Sequence, residues 1–395
     1  MGHRSTMWEE QSQHRADEIS RALVRVGVMT NGQIARLLNV DPRIAKITVS
    51  RHWDRFEEQH KVPKGVAGGR YVVPGNRVMS LIRLSDQALA KWAKDEGIGR
   101  VRNRVRPSVL PQVLNVGELL IRMRHAGVAY EDWDIMLSQS NGEGLHADLV
   151  KRGEDGEAEF TLGLYLLPMR LSEVEQGKKG LIFHGILRRV LQNSRITNTL
   201  FLVPRQYYLA SLKTLSKLDK AGRYFYLLPL ESFVEHPRWF LEAIRTDDHQ
   251  QRVSLINDAL DWDEKAEPPY GLRFASLLRF YKADNYRFVD TWVNGSVDRV
   301  RQWMDYTTGY QIPKTGYGAG ADVYVQDDVM REALEKVLRM KKRDHYNHSI
   351  VYTEPWLEGM CTPEPKAAGP AERAPLVDPE DLKFDESWLK YFNED

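Results

Sequence analysis

Cysteine is nearly absent from the 395-residue sequence, in which Cys361 is the only one. A single cysteine excludes an internal disulfide and a zinc site built from a cage of cysteines. No apolar run approaches the roughly 18–20 residues that a membrane-spanning helix requires. The opening stretch, MGHRSTMWEEQSQH, is polar and lacks the apolar centre of a secretory signal. These absences predict a cytoplasmic protein with no membrane partner.

The formal net charge of +1 hides an uneven distribution along the chain. Residues 1–110 contain 20 Lys and Arg against 11 Asp and Glu, whereas residues 361–395 contain 4 against 9. A basic front favours binding to nucleic acid, and an acidic tail favours a solvated arm or a docking peptide. The alternative is that the uneven charge serves only solubility. A GxxxxGK[ST] phosphate loop is also missing, which argues against nucleotide binding by such a loop.

The stretch from Thr30 to Arg83 has the pattern of a helix-turn-helix followed by a β-wing. The segment TNGQIARLLNV predicts a short helix capped by Thr30 or Asn31. The segment DPRIAKITVSRHWDRF predicts a second helix, with Asp41 as its N-cap and Pro42 in its first turn. We therefore expect a winged helix-turn-helix that binds double-stranded DNA and spans residues 15–97.

The second helix of this module has the composition of a recognition helix. Ile44 and Ile47 are expected to point inward, with Trp53 or Phe56 as further inward candidates. The residues predicted to contact DNA from this helix are Arg43, Lys46, Thr48, Ser50 and Arg51. Arg and Lys reach phosphates or guanine edges, while Ser and Thr make shorter contacts. A small three-helix domain with a merely charged surface is the alternative.

More basic residues follow in the predicted wing and in the linker after it. GGRYVVPGNRVMSLIRLS predicts two strands around a Pro-Gly-Asn turn, and Ser85 is expected to cap a closing helix. Further predicted DNA contacts are Lys61, Lys64, Arg70 and Arg77 in the wing, and Arg100, Arg102, Arg104 and Arg106 in a basic linker over 98–111. A plain solvated linker is the alternative there. Winged-helix proteins often dimerise to bind paired half-sites in DNA, so a homodimer is the alternative to a monomer.

After residue 111 the pattern changes to a predicted sheet. Residues 112–236 alternate as helix, three strands, helix, strand, helix and strand, which indicates an α/β sheet covered by helices. Residues 237–360 are aromatic and predicted to be mostly helical. Residues 361–383, rich in Pro, Ala and acids, predict a disordered linker. The fold class expected is therefore multidomain α+β or α/β, with a disordered acidic tail.

The last segment, FDESWLKYFNED over 384–395, places its apolar residues at helical spacing between acids. These residues are Phe384, Trp388, Leu389, Tyr391 and Phe392. Such a pattern is typical of a peptide that docks in the groove of a protein partner. Packing onto the rest of the same chain is the alternative.

The order of these segments resembles the replication-relaxation family of plasmids and integrative mobile elements. The resemblance covers about residues 18–235, and its motifs are LIRLSDQALAKWA, LNVGELLIRMRHAG, HADLVKR and LFLVP. It implies a winged helix followed by a restriction-endonuclease-like domain of the PD-(D/E)XK type. It also implies a role in replication initiation or DNA mobilisation.

In a nuclease of that type, acids on neighbouring strands hold a divalent metal that stabilises the phosphoryl transition state. Asp148 matches the first acid, whereas Gly163 and Tyr165 stand where further acids are expected. Glu157 and Glu159, just upstream, are the substitutes if the strand register differs. We expect a non-catalytic DNA-binding protein without a cofactor. The alternatives are a Mg²⁺-dependent nickase or relaxase centred on Asp148, and a winged-helix transcriptional regulator.

Overall fold

The structure is a computed structural model, and it describes twelve parts of the chain. They are residues 2–59, 81–99, 105, 110–137, 146–166, 197–217, 224–246, 265–266, 277–281, 285–307, 320–339 and 350–353. Several predicted features lie outside these residues. They are the wing residues Lys61, Lys64, Arg70 and Arg77, the linker residues Arg100, Arg102, Arg104 and Arg106, the linker over 361–383, and the docking peptide with Phe384, Trp388, Leu389, Tyr391 and Phe392.

The N-terminal part of the chain, called the head, combines helices with a three-stranded antiparallel sheet in the order β1–β3–β2. Its elements are α1 (Gly2–Val26), β1 (Met29–Thr30), α2 (Asn31–Leu38), α3 (Pro42–Arg51), β2 (Phe56–Gln59), β3 (Leu81–Leu84) and α4 (Asp86–Asp95). The prediction that the second helix continues as far as Phe56 is wrong, because α3 ends at Arg51 and Phe56 opens β2. In β2, Phe56 pairs with Leu84 and its side chain is buried.

Local capping signals explain where the helices of the head begin. Thr30 accepts a hydrogen bond from the Gln33 backbone, and the Gln33 side chain accepts one from the Thr30 backbone, which forms a capping box. Asp41 caps α3 through the Arg43 backbone, and Ser85 caps α4. The predicted caps at these positions are confirmed. The turn between α2 and α3 contains Asn39 in the left-handed region, at a φ of 50°, a conformation that asparagine tolerates better than most residues.

A five-stranded sheet follows, called the first sheet, with the strand order β4–β5–β6–β7–β8. Its elements are α5 (Leu110–His125), β4 (Trp133–Leu137), β5 (Ala147–Arg152), β6 (Ala158–Leu166), β7 (Asn198–Val203), α6 (Arg205–Leu215), β8 (Tyr224–Pro229), α7 (Leu230–Glu235) and α8 (Pro237–Arg245). Strands β4 to β6 are antiparallel, and β6 to β8 are parallel. Five strands were predicted over 112–236, and all five are present.

A further five-stranded sheet, called the second sheet, has the order β9–β10–β11–β12–β13. Its elements are β9 (Lys265–Ala266), β10 (Leu277–Tyr281), β11 (Asn285–Thr291), α9 (Val297–Thr307), β12 (Gly320–Val325), α10 (Asp328–Arg339) and β13 (Ile350–Thr353). The region over 237–360, which was predicted to be mostly helical, therefore also contains a five-stranded sheet among its described residues. Its strands repeat the directions of the first sheet, two antiparallel pairings followed by two parallel ones.

The head and both sheets share one continuous apolar core. Helix α5 links the head to the first sheet, because it packs against α1 and α2 of the head and against β4 and β6 of the first sheet. Helices α6 and α10, which follow the fourth strand of their sheets, pack against each other. Among the helices in the described ranges, none is both long and apolar enough to cross a membrane.

Candidate nucleic-acid interface

Helix α3 is held by a narrow buried stripe of small side chains. Ala45 is fully buried and Thr48 is 2% exposed. The Thr48 hydroxyl donates to the Ile44 carbonyl oxygen at 3.0 Å. Thr48 was predicted to contact DNA, and that prediction is wrong because the residue is buried and its hydroxyl is bonded within α3. Small residues on this stripe let α3 lie close to α2 and α1, which it contacts.

The opposite side of α3 is open to solvent and carries both basic and apolar residues. Arg43, Lys46, Ser50 and Arg51 are exposed, as a DNA-contacting surface requires. Ile44 and Ile47 are exposed as well, at 36% and 50%, and the prediction that they point inward is wrong. Trp53, beyond the end of α3, is also exposed, so only Phe56 of the two further candidates is buried.

The exposed face of α3 therefore has one sign of charge. The helix contains Arg43, Lys46 and Arg51 and no Asp or Glu. Basic side chains around an exposed helix attract the phosphate backbone, and an α-helix has the diameter that the major groove of DNA admits. The end of α3 is fixed to α1 because Ser12 Oγ and His52 Nε2 lie 3.1 Å apart. Burial lowers the pKa of His52, and the charge of Arg55 lowers it further.

Helix α2, which supports α3, is attached to α5 by polar contacts. Gln33 Nε2 donates to the Leu114 carbonyl oxygen at 2.8 Å. The Arg36 guanidinium donates to the two Glu118 carboxylate oxygens at 3.0 and 2.7 Å. The paired geometry fixes both the distance and the angle between α2 and α5. The head is consequently held against the first sheet by direct contacts.

A buried ion-pair network strengthens this attachment, and we call it the Arg25 network. Arg25 of α1 donates from Nε to Asp134 Oδ1 at 2.6 Å and from Nη2 to Glu96 Oε2 at 2.8 Å. Asp134 of β4 is fully buried, and it also accepts from Arg152 Nη2 at 3.1 Å. Burial by itself lowers the pKa of Arg25. The charges of Asp134 and Glu96 and their hydrogen bonds to Arg25 have the larger effect, so the pKa of Arg25 lies above its usual value. The network joins two elements of the head to two strands of the first sheet.

Tyr130 forms the centre of a second set of contacts beside the Arg25 network. The guanidinium carbons of Arg21, Arg25 and Arg124 lie 4.7, 4.1 and 4.2 Å from the centre of its ring. Cations at this distance are attracted to the face of an aromatic ring. The Tyr130 hydroxyl donates to Glu18 at 3.2 Å, and burial raises its pKa. Three cations are thereby held around one buried ring, with Arg25 buried and the Arg21 and Arg124 side chains about one-quarter exposed.

The three acids proposed for cleavage do not meet at one point. Asp148 lies on β5 opposite Gly163 of β6. Glu159 lies four residues before Gly163, about 13 Å away along the strand at the usual rise per residue. It is ion-paired at 3.1 Å with Arg245. Glu157 is exposed in the turn between β5 and β6. The substitution of Glu157 and Glu159 for the expected acids therefore does not fit this register.

An aromatic contact occupies the place where the further acids were expected. Tyr165, which follows Gly163 on the same face of β6, is buried. Its ring centre lies 4.7 Å from that of His146 and 5.8 Å from that of Phe201. Burial lowers the pKa of His146 to about 4, so this histidine is neutral at pH 7. In the part of the chain that the structure describes, no three His, Cys, Asp or Glu side chains are grouped to hold a metal ion.

The sequence contained a signal for the true orientation of α3. Ala45, Thr48 and Val49 are spaced at i, i+3 and i+4, which is helical spacing for a buried stripe, although the residues are small. Ile44 and Ile47 are also three residues apart, and they are more apolar. A prediction based on apolarity alone therefore assigned the wrong face of α3 to the protein interior. The acidic partner of Arg36, Glu118, is 82 residues away in the sequence. No local pattern reveals a pair of that separation.

Comparison with protein-family models gave no matching family, and comparisons with curated proteins and with solved structures gave no match.

Proposed function

We propose that the protein is a sequence-specific duplex-DNA-binding protein of a mobile genetic element, acting in replication initiation or DNA mobilisation. The observation that carries the proposal is the exposed face of α3, which presents Arg43, Lys46, Ser50 and Arg51 without an acid. A helix with this surface, placed second in a helix-turn-helix and capped by Asp41, has the form of a recognition helix. The anchoring of the head to α5 gives this helix a rigid support.

In the same proposal, the first sheet has a secondary role. Its order of one helix, three antiparallel strands and two parallel strands suits the restriction-endonuclease-like domain that the resemblance implies. The separation of Asp148 from Glu159, and the aromatic packing of Tyr165, favour a non-catalytic use of that domain. We therefore infer that it acts as a scaffold that carries the head.

Replacing basic residues on α3 is expected to weaken DNA binding. Arg43→Ala and Arg51→Ala should each lower affinity for a duplex selected from a random pool about tenfold, the scale of one lost Arg contact. Each should also flatten the dependence of affinity on salt, because fewer counterions are released. A gel-shift titration at several salt concentrations measures both effects. Lys91→Ala, which removes an exposed cation from α4 of the same head, is the matched control and should change little.

If Arg43→Ala, Arg51→Ala and the Lys91→Ala control all bind equally well, α3 is not the DNA-contacting element. Footprinting of the selected site within its native sequence separates an origin from a promoter, and so separates this proposal from a transcriptional regulator.

The non-catalytic assignment of the first sheet has its own test. Incubation with supercoiled plasmid and Mg²⁺ or Mn²⁺ is expected to leave the plasmid supercoiled, because neither Glu157 nor Glu159 lies at the register of Asp148, which pairs with Gly163. Agarose electrophoresis distinguishes supercoiled, nicked and linear forms. Nicking by the wild-type protein that disappears in Asp148→Ala would instead establish the metal-dependent nickase.

A further inference from the structure

Ile47 lies at the centre of the exposed face of α3. Residues three and four positions apart are neighbours on a helix surface, so Arg43, Ile44, Ser50 and Arg51 surround it. Half of Ile47 is exposed, and Ile44 beside it is one-third exposed. The centre of this face is therefore apolar and its rim is basic and polar.

The packing of the head does not require these isoleucines. Ala45 and Thr48 fill the stripe that faces α1 and α2, and the larger apolar residues of the same helix are left outside. A fully buried Ile stabilises a fold substantially, so a helix that buries Ala and exposes Ile gives up stability on this face. Both isoleucines are β-branched and held close to one rotamer in a helix, which makes them a rigid surface.

The charges on the rim select the kind of molecule that covers this apolar centre. Arg43, Lys46 and Arg51 would repel the same face of a second copy, because α3 has no acid to pair with them. They attract a polyanion instead. In the major groove of duplex DNA, the apolar group on the base edges is the C5-methyl of thymine.

We propose that Ile47 and Ile44 contact thymine methyl groups and so set the base preference at the middle of the bound site. The proposal rests on the proposed function and adds the chemistry of the bases that are read. Arg43 and Arg51 hold the phosphates on either side, while the isoleucines discriminate thymine from cytosine and from the purines.

Deoxyuridine in place of thymine provides the sharpest test, because it removes only the methyl group and keeps every hydrogen-bonding atom. A duplex selected from a random pool by the full chain is resynthesised with one thymine replaced at a time. At the contacted positions the wild-type affinity should fall about fourfold for each methyl group lost, the scale for one buried methyl or methylene. The same replacements should have no effect on Ile47→Ala or Ile44→Ala at the position that each residue reads.

Tyr224→Ala is the matched control, since it removes another exposed large apolar side chain on β8, outside the head. It should keep the full wild-type response to deoxyuridine. Melting temperatures of Ile47→Ala and Ile44→Ala should stay close to that of the wild type, because both side chains are partly exposed and neither belongs to the buried core. A large drop in either would show that the isoleucine packs within the fold, and would overturn the proposal.

The outcomes separate this inference from the function on which it rests. If no duplex is selected at all, both the function and the inference fail. If a duplex is selected but no deoxyuridine changes the affinity, or the loss persists in both alanine variants, DNA binding stands and the thymine contact is overturned. A change from dimer to monomer in Ile47→Ala, with the deoxyuridine response retained, would assign the face to a second copy instead.

Discussion

Asp134→Ala is expected to lower the free energy of unfolding by about 3–5 kcal/mol, the usual cost of leaving a buried charge without its partner. The carboxylate is fully buried on β4 and holds Arg25 through two hydrogen bonds, at 2.6 and 3.2 Å. Without it, the buried Arg25 guanidinium keeps Glu96 as its one acidic partner among the residues that the structure describes. Chemical denaturation followed by circular dichroism measures the loss.

Glu332→Ala is the control for this prediction. Glu332 pairs with Lys336 at 3.5 Å on the surface of α10, and both side chains are more than half exposed. An exposed pair of this kind contributes at most about 1 kcal/mol. A similar small loss in Asp134→Ala would mean that the Arg25 network does not hold the head to the first sheet.

The double variant Arg25→Met/Asp134→Leu tests the electrostatic part separately. When both charges are removed together, neither is left unpaired, and apolar replacements of buried pairs are often neutral. The double variant should therefore be less destabilised than the sum of the two single variants. Additive losses would indicate that the two side chains act through packing alone.

Local signals made much of this fold predictable from the sequence. Caps at Thr30, Asp41 and Ser85 are short-range chemistry, because a side-chain oxygen meets a backbone N–H three residues or fewer away. The strands of the first sheet were also predictable, since runs such as NTLFLV are long and apolar enough to indicate buried strands. Both kinds of signal depend only on neighbouring residues.

Contacts between distant residues were not predictable in the same way. Arg25 and Asp134 are 109 positions apart, and nothing around either residue indicates the other. The strands of the second sheet are shorter or carry charges, as in LLRFY and NYRFVDT, so their pattern suits helix and strand equally. The second sheet repeats the strand order of the first sheet. This repetition concerns the topology alone, so no repeated residue pattern in the sequence indicates it.

The candidate site was predicted in part for a similar reason. The exposure of Arg43 and Arg51 was predictable from the position of the helix in the head, because charged side chains stay in water whichever face of a short helix is buried. Predicting the orientation of Ile44 and Ile47 required knowing which face of α3 packs against α1 and α2. That face depends on how closely the helices approach one another, which a single sequence does not show.

Gly295→Ala should be destabilising by about 3 kcal/mol or more, since it combines backbone strain with overpacking. Gly295 has a φ of +69°, and a methyl group added there would lie 2.1 Å from the Leu227 carbonyl oxygen. The backbone of β8 cannot move away easily, because Leu227 N donates to the Gly295 carbonyl oxygen at 2.9 Å. Thermal and chemical unfolding should both show the loss.

Gly97→Ala isolates the contribution of the clash. Gly97 has nearly the same φ, +66°, but a methyl group added there would meet nothing within 4 Å. Gly97→Ala should therefore lose only the cost of a left-handed alanine, about 1–2 kcal/mol. The difference in unfolding free energy between the two variants measures how closely the loop before α9 packs against β8. The second sheet joins the first sheet at this contact. Equal losses would mean that this loop yields to the added methyl group, and that the two sheets are held together by α6 and α10 instead.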